Sequence, residues 1–170
     1  RLKKALSGGG PLVDVGIYCV QAARYATGEE PIAVTAQFGP VTDPAKFNEV
    51  EESITWQMRF PSGAYMTGLT GYKNYLDQLY IGAEKKSYKL EPAFSYGPLF
   101  GEVRNSSERV LQFPHQHHQR RQMEALGELF LKPGPMPDHI SGVEGLKDVR
   151  VLAAIYEAAT TGKPVALPAV

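Results

Sequence analysis

Residues 52–60 alternate so regularly that they leave little choice of local structure, with Ile54, Trp56, Met58 and Phe60 falling on one side. A period of two over this length belongs to a strand buried on one face. Pro61-Ser62-Gly63 then reads as a hairpin connection, and residues 64–72 return as the antiparallel partner. Residues 32–38, 75–81, 86–90, 96–100 and 109–113 read as further strands, separated by a loop at 39–48 and a turn at Gly82-Ala83-Glu84-Lys85. The middle of the chain is thus a run of antiparallel strands.

Helices flank that run. Gly8-Gly9-Gly10 forms a lead-in, Pro11 suits the first helical position, and Gly28 suits the left-handed position past a helix end. Between them Leu12, Val13, Val15, Ile17, Cys19, Val20, Ala22, Ala23 and Ala26 make a helix expected to be buried on most sides. Residues 116–131 carry Met123, Leu126 and Phe130 at helical spacing. Ser141 with Glu144 makes a capping-box pattern, opening a helix to about residue 160 that is expected to bury Leu146, Val149, Leu152, Ile155 and Tyr156. Gly162 stops it and Pro164 begins a short tail strand. This order predicts an α+β fold, an open and mainly antiparallel β-sheet from Ile32 to Phe113 with the helices packed on one face. At 170 residues it fits a single domain, 1–170.

Composition excludes several classes of partner. Eighteen basic and eighteen acidic residues cancel, so no footprint for nucleic acid or an anionic membrane is visible. No apolar run approaches the ~18 residues of a membrane span. Cys19 is the sole cysteine, which rules out an internal disulfide framework or a multi-cysteine metal site. A cytoplasmic location is expected. The chain opens at Arg1 and is expected to be cut from something longer.

Within the first helix, Asp14, Tyr18, Gln21 and Tyr25 fall on one polar line. Burying such groups is costly unless they are paired or used. Two readings stand side by side: a first-turn carboxylate with a core phenol, or the start of a functional site. The chain has no strand–GxGxxG–helix unit, Walker loop or serine elbow, so no Rossmann domain and no cofactor-binding residues are expected in it. His115-Gln116-His117-His118 lacks supporting carboxylates or cysteines, and no metal site is expected. It fits a loop at a pocket mouth, where neutral imidazole can hydrogen-bond a ligand.

The segment Gly8-Gly9-Gly10-Pro11-Leu12-Val13-Asp14-Val15-Gly16-Ile17-Tyr18, then Ala22-Ala23-Arg24-Tyr25 and Gly28-Glu29-Glu30-Pro31, resembles the C-terminal domain of the Gfo/Idh/MocA oxidoreductases, in particular the glucose-fructose oxidoreductase branch. The likeness continues through residues 51–64, Leu90-Glu91-Pro92-Ala93-Phe94-Ser95-Tyr96, and the closing Gly142-Val143-Glu144-Gly145-Leu146-Lys147-Asp148-Val149-Arg150 with Thr161-Gly162-Lys163-Pro164-Val165. Together these cover nearly the whole chain.

The resemblance implies the substrate-binding and assembly domain of an oxidoreductase that acts on a sugar or polyol with NAD or NADP. The family's catalytic lysine and Rossmann fold belong to an N-terminal domain that this sequence does not contain. Its C-terminal aspartate, and the histidine or tyrosine four residues on, map onto Asp14 and Tyr18, the expected catalytic residues. Tyr72, His115 and His118 are the expected substrate-binding residues. An unperturbed tyrosine titrates near ~10 and needs a nearby cation to act as a base at neutral pH. Asp14 would orient a sugar hydroxyl or keep that lysine charged. The chain alone is expected neither to bind the dinucleotide nor to be active, and a homodimer through the free sheet face is expected. The alternative is a stand-alone, non-catalytic binding or interaction module derived from the same family.

Overall fold

The computed structural model describes residues 1–105, 110–112, 116–132 and 134–168. A one-turn helix α1 (Lys4–Ser7) leads into a π-helical turn (Leu12–Gly16) that continues directly as α2 (Ile17–Thr27). Strands β1 (Ala33–Phe38), β2 (Ser53–Arg59), β3 (Tyr65–Gly71), β4 (Leu79–Gly82), β5 (Ser87–Leu90), β6 (Phe100–Arg104) and β7 (Val110–Gln112) follow. The chain closes with α3 (His118–Leu131), a 3₁₀ turn (Asp138–Ile140), α4 (Gly142–Thr161) and β8 (Val165–Ala166). It divides into two compact units, Arg1–Tyr75 with Gly142–Val170, and Leu76–Ser141.

The first unit is a four-stranded antiparallel sheet in the order β3-β2-β1-β8. Val34 pairs with Met58, Ala36 with Trp56, and Trp56 with Gly68. The alternation expected of β2 is present: Ile54, Trp56 and Met58 are buried while Thr55, Gln57 and Arg59 are exposed. Leu12, Val20 and Ala23 from the first helical segment and Val151, Leu152, Ile155 and Ala158 from α4 close over that face. Each fully buried aliphatic or aromatic side chain contributes about 1.5–3 kcal/mol, so this layer is the principal source of stability in the unit.

Two helix faces differ from expectation. The polar line Asp14–Tyr18–Gln21–Tyr25 points outward, and burial is confined to Leu12, Gly16, Val20, Ala23 and Arg24. The small side chains of Ala22 and Ala26 carry too little apolar area to force burial on all sides. In α4 the buried stripe is Asp148, Val151, Leu152, Ala154, Ile155 and Ala158, whereas Leu146 and Val149 are exposed. The carboxylate at 148 turns inward because a guanidinium awaits it there.

The strands form two sheets where one was expected. β3 ends in a turn, with the Asn74 N–H donating to Gly71 O at 3.4 Å, and Tyr75 beyond it is fully exposed. The edge of β1 is meanwhile taken by the tail strand β8. The second unit has its own antiparallel meander, β4-β5-β6-β7. β6 starts at Phe100, where the sequence reading placed a strand end. Pro98 lacks a ladder N–H and suits the approach to a strand better than its middle. In the same unit the Asp77 carboxylate accepts the N–H groups of Ala93 (2.8 Å) and Phe94 (2.6 Å) and the Ser95 hydroxyl. Met123 and Phe130 of α3 are exposed, and no residue of that helix is buried.

Candidate active site

The π-helical turn carries Asp14, and Tyr18 stands one turn further on in α2. A π-turn admits an extra residue per turn and recurs at functional positions. Its underside is tightly packed. A Cβ at Gly16 would lie 3.1 Å from the Thr70 methyl of β3, and one at Gly68 2.3 Å from the Trp56 ring, so Gly16 lets the helix approach β3 and Gly68 makes room for the indole. Above that floor Tyr18 is 45% exposed and Asp14 partly so.

Asp14 is the centre of a small polar group. Arg1 Nη1 donates to its Oδ2 at 3.0 Å. Tyr72, the first residue after β3, has a buried hydroxyl that faces the Asp14 carboxylate without a hydrogen bond of normal geometry among the described residues. Burial first, and then the negative charge of Asp14, push its pKa up to about 12. The phenol is therefore held neutral, a donor beside an acceptor-only carboxylate. Its ring stacks on Phe47 at 6.2 Å.

The start of the helix is anchored from below. Glu51 lies two residues ahead of β2, and its carboxylate accepts the N–H groups of Gly10 (3.2 Å) and Leu12 (3.1 Å) and the hydroxyl of Tyr156 (2.8 Å) from α4. Burial, with the hydrogen bond to Glu51 behind it, raises the Tyr156 pKa above that of an ordinary phenol. At the other end of α2, Arg24 makes a bidentate pair with Glu30 (2.8 and 2.7 Å) and bonds to Asp148 and to Glu144 (2.5 Å). Burial disfavours the charge, but the hydrogen bonds to Glu30 and Asp148 outweigh it and raise the arginine's pKa.

Of the residues singled out by sequence, Asp14, Tyr18 and Tyr72 all belong to the first unit, with Tyr72 turned to Asp14. His118 is exposed at the first residue of α3 in the second unit. His115 lies outside the described residues. Glu51, Tyr156 and Arg24 were not singled out. Glu51 had no periodicity to mark it, and Tyr156 read as a core aromatic.

The described residues form an antiparallel α+β domain that carries an outward aspartate–tyrosine line. The family comparison agrees. Residues 1–87 match the GFO/IDH/MocA C-terminal domain, and the chain belongs to that family. It is 29% identical to D-xylose 1-dehydrogenase (NADP+) of Haloarcula marismortui over 98% of its own length and 46% of that protein's. It is 30% identical to D-glucoside 3-dehydrogenase of Escherichia coli over 96% of its length and 50% of that enzyme's. The structure of aldose-aldose oxidoreductase from Caulobacter crescentus, complexed with glycerol, superposes with a TM-score of 0.89 at 38% identity, covering 98% of this chain and 50% of that one. The chain thus spans about half the length of the curated relatives it matches.

The N–H groups that open the helix carrying Asp14 are in part already taken. A pyrophosphate would seat on free N–H groups at a helix N-terminus, but those of Gly10 and Leu12 are already held by Glu51. Negative charge is added there by the protein itself.

Proposed function

We propose that this chain is the substrate-side domain of an oxidoreductase acting on a sugar or polyol hydroxyl, with NAD or NADP held outside this domain. The observation that carries the reading is the outward Asp14–Tyr18 pair, with Tyr18 exposed and Asp14 half-buried, on a rigidly anchored helix with the buried Tyr72 hydroxyl facing Asp14. The sugar-oxidoreductase names of the relatives support it. A carbinol substrate would offer a hydroxyl to the Asp14 carboxylate and accept a hydrogen bond from Tyr72 Oη. Tyr18 Oη would take or return the proton of the reacting hydroxyl, a general acid–base role. A phenol does this near neutral pH only beside a cation. His115 and His118 remain proposed binding groups.

The outer face of the first sheet, with Thr35, Gln37, Thr55, Gln57 and Thr67 flanked by Tyr65 and Leu69, is the proposed surface for self-association. It is mostly polar, because Ile54, Trp56 and Met58 are covered by helices on the other side. Sedimentation showing only monomer at every concentration would exclude it.

The decisive experiment is Tyr18→Phe in the full-length enzyme, assayed with NAD and NADP against a panel of aldoses and polyols. General acid–base steps contribute about 10²–10⁴-fold, so kcat should fall by that order while the melting temperature holds. Full activity in Tyr18→Phe would refute the assignment.

A further inference from the structure

The triple glycine, Glu51 and Tyr156 form one device that the roles of Asp14 and Tyr18 leave unexplained. Three segments distant in sequence meet at Gly10. Its N–H is shared between Glu51 Oε2 (3.2 Å) and Tyr156 Oη (3.3 Å), and its carbonyl accepts the Asp14 N–H (3.2 Å). Glu51 is therefore joined to the Asp14 backbone through a single residue, Gly10. Its other oxygen takes the Leu12 N–H and the Tyr156 hydroxyl. The glycines are what make room for this. A Cβ at Gly9 would lie 2.3 Å from Tyr156 Oη, and one at Gly10 would lie 2.7 Å from both the Glu51 carboxyl carbon and its backbone oxygen.

We propose that Glu51, seconded by Tyr156, is a positioning residue that sets where the π-turn holds Asp14 and Tyr18 over the sheet. The inference rests on the function proposed above. Helix N-termini leave several N–H groups without partners, and water could satisfy them in any of several nearby positions. A carboxylate fixed at the start of β2 and a phenol fixed on α4 select one of these. The neighbouring Glu52 has a different task, since its carboxylate serves Thr42, Asp43 and Lys73.

The test uses the full-length enzyme with Glu51→Gln, Tyr156→Phe, Glu52→Gln and Tyr18→Phe in parallel, at a temperature well below every melting midpoint. Glu51→Gln keeps the shape but replaces one acceptor oxygen with a donor facing N–H groups. Misplacing reacting groups by about 1 Å costs on the order of 10²-fold in rate. Glu51→Gln should therefore lower kcat by tens-fold to about 10²-fold with little change in the dinucleotide's KM. Tyr156→Phe should lower kcat several-fold, and Glu52→Gln should leave it unchanged. A crystal structure of Glu51→Gln should show the Asp14 backbone displaced from β3. If Tyr18→Phe is impaired while Glu51→Gln keeps full kcat and only melts lower, the pair is a structural cap and the positioning role is overturned. If Tyr18→Phe is itself fully active, the reading of the site fails and takes this proposal with it.

Discussion

Arg24 of α2 and Asp148 of α4 are 5% and 4% exposed and hydrogen-bond to one another, tying together the two helices that cover the first sheet. A buried pair is a poor source of net stability compared with well-packed apolar residues, but removing one member leaves the other stranded. Arg24→Leu should cost about 3–5 kcal/mol by urea unfolding. The double variant Arg24→Leu with Asp148→Leu should recover part of that loss. A single variant within about 1 kcal/mol of the wild type would mean that water reaches the stranded carboxylates.

Acid should loosen the loop before β2. The Thr42 hydroxyl (2.6 Å), opposed by burial and helped by the Thr42 and Asp43 N–H groups and by Lys73, brings the Glu52 pKa from 4.5 down to about 2. The folded pKa lies below the unfolded one, so the folded state holds its proton less tightly. The contribution is complete above the unfolded value and fades as pH falls from 4.5 towards about 2. Glu52→Gln should flatten the plot of unfolding free energy against pH in that window. An unchanged slope would assign the acid sensitivity to other carboxylates.

The Tyr72 hydroxyl gives a variant whose effects on stability and affinity have opposite signs. An unsatisfied buried polar group costs about 1–3 kcal/mol. Tyr72→Phe retains the stacking on Phe47 while removing that group. The free protein should become more stable, by about 1 kcal/mol. In the full-length enzyme the substrate KM should rise, since the hydroxyl proposed to bind substrate is gone. Thermal melts and steady-state kinetics on one preparation read both. A clear loss of stability would show that the hydroxyl already has a partner.

Much of the first unit was legible in the chain. The period-two run Ile54–Trp56–Met58–Phe60 located β2 and its buried face, and Pro61-Ser62-Gly63 located the hairpin to β3. Gly28 stands at the left-handed cap of α2, with φ at 67°. These signals are local, because backbone sterics and strand alternation act over a few residues. The order of helix, strands and helices likewise pointed to an α+β fold, and the Gly8–Tyr18 segment with its companions pointed to the family that residues 1–87 match.

The folded chain decided what depends on partners far away in sequence. Glu30 alone does not announce that Arg24 will be buried, because the other carboxylates that make this tolerable stand far off at 144 and 148. The split into two sheets lies in which strands pair, β8 with β1 and β4 with β5, which alternation does not encode. The outward face of Asp14 and Tyr18, and the grip of Glu51 and Tyr156 on the turn beneath them, arise for the same reason. Sequence periodicity specifies which residues share a face, whereas the direction of that face is set by whatever packs on the opposite side, here Trp56 and the helix-covered sheet.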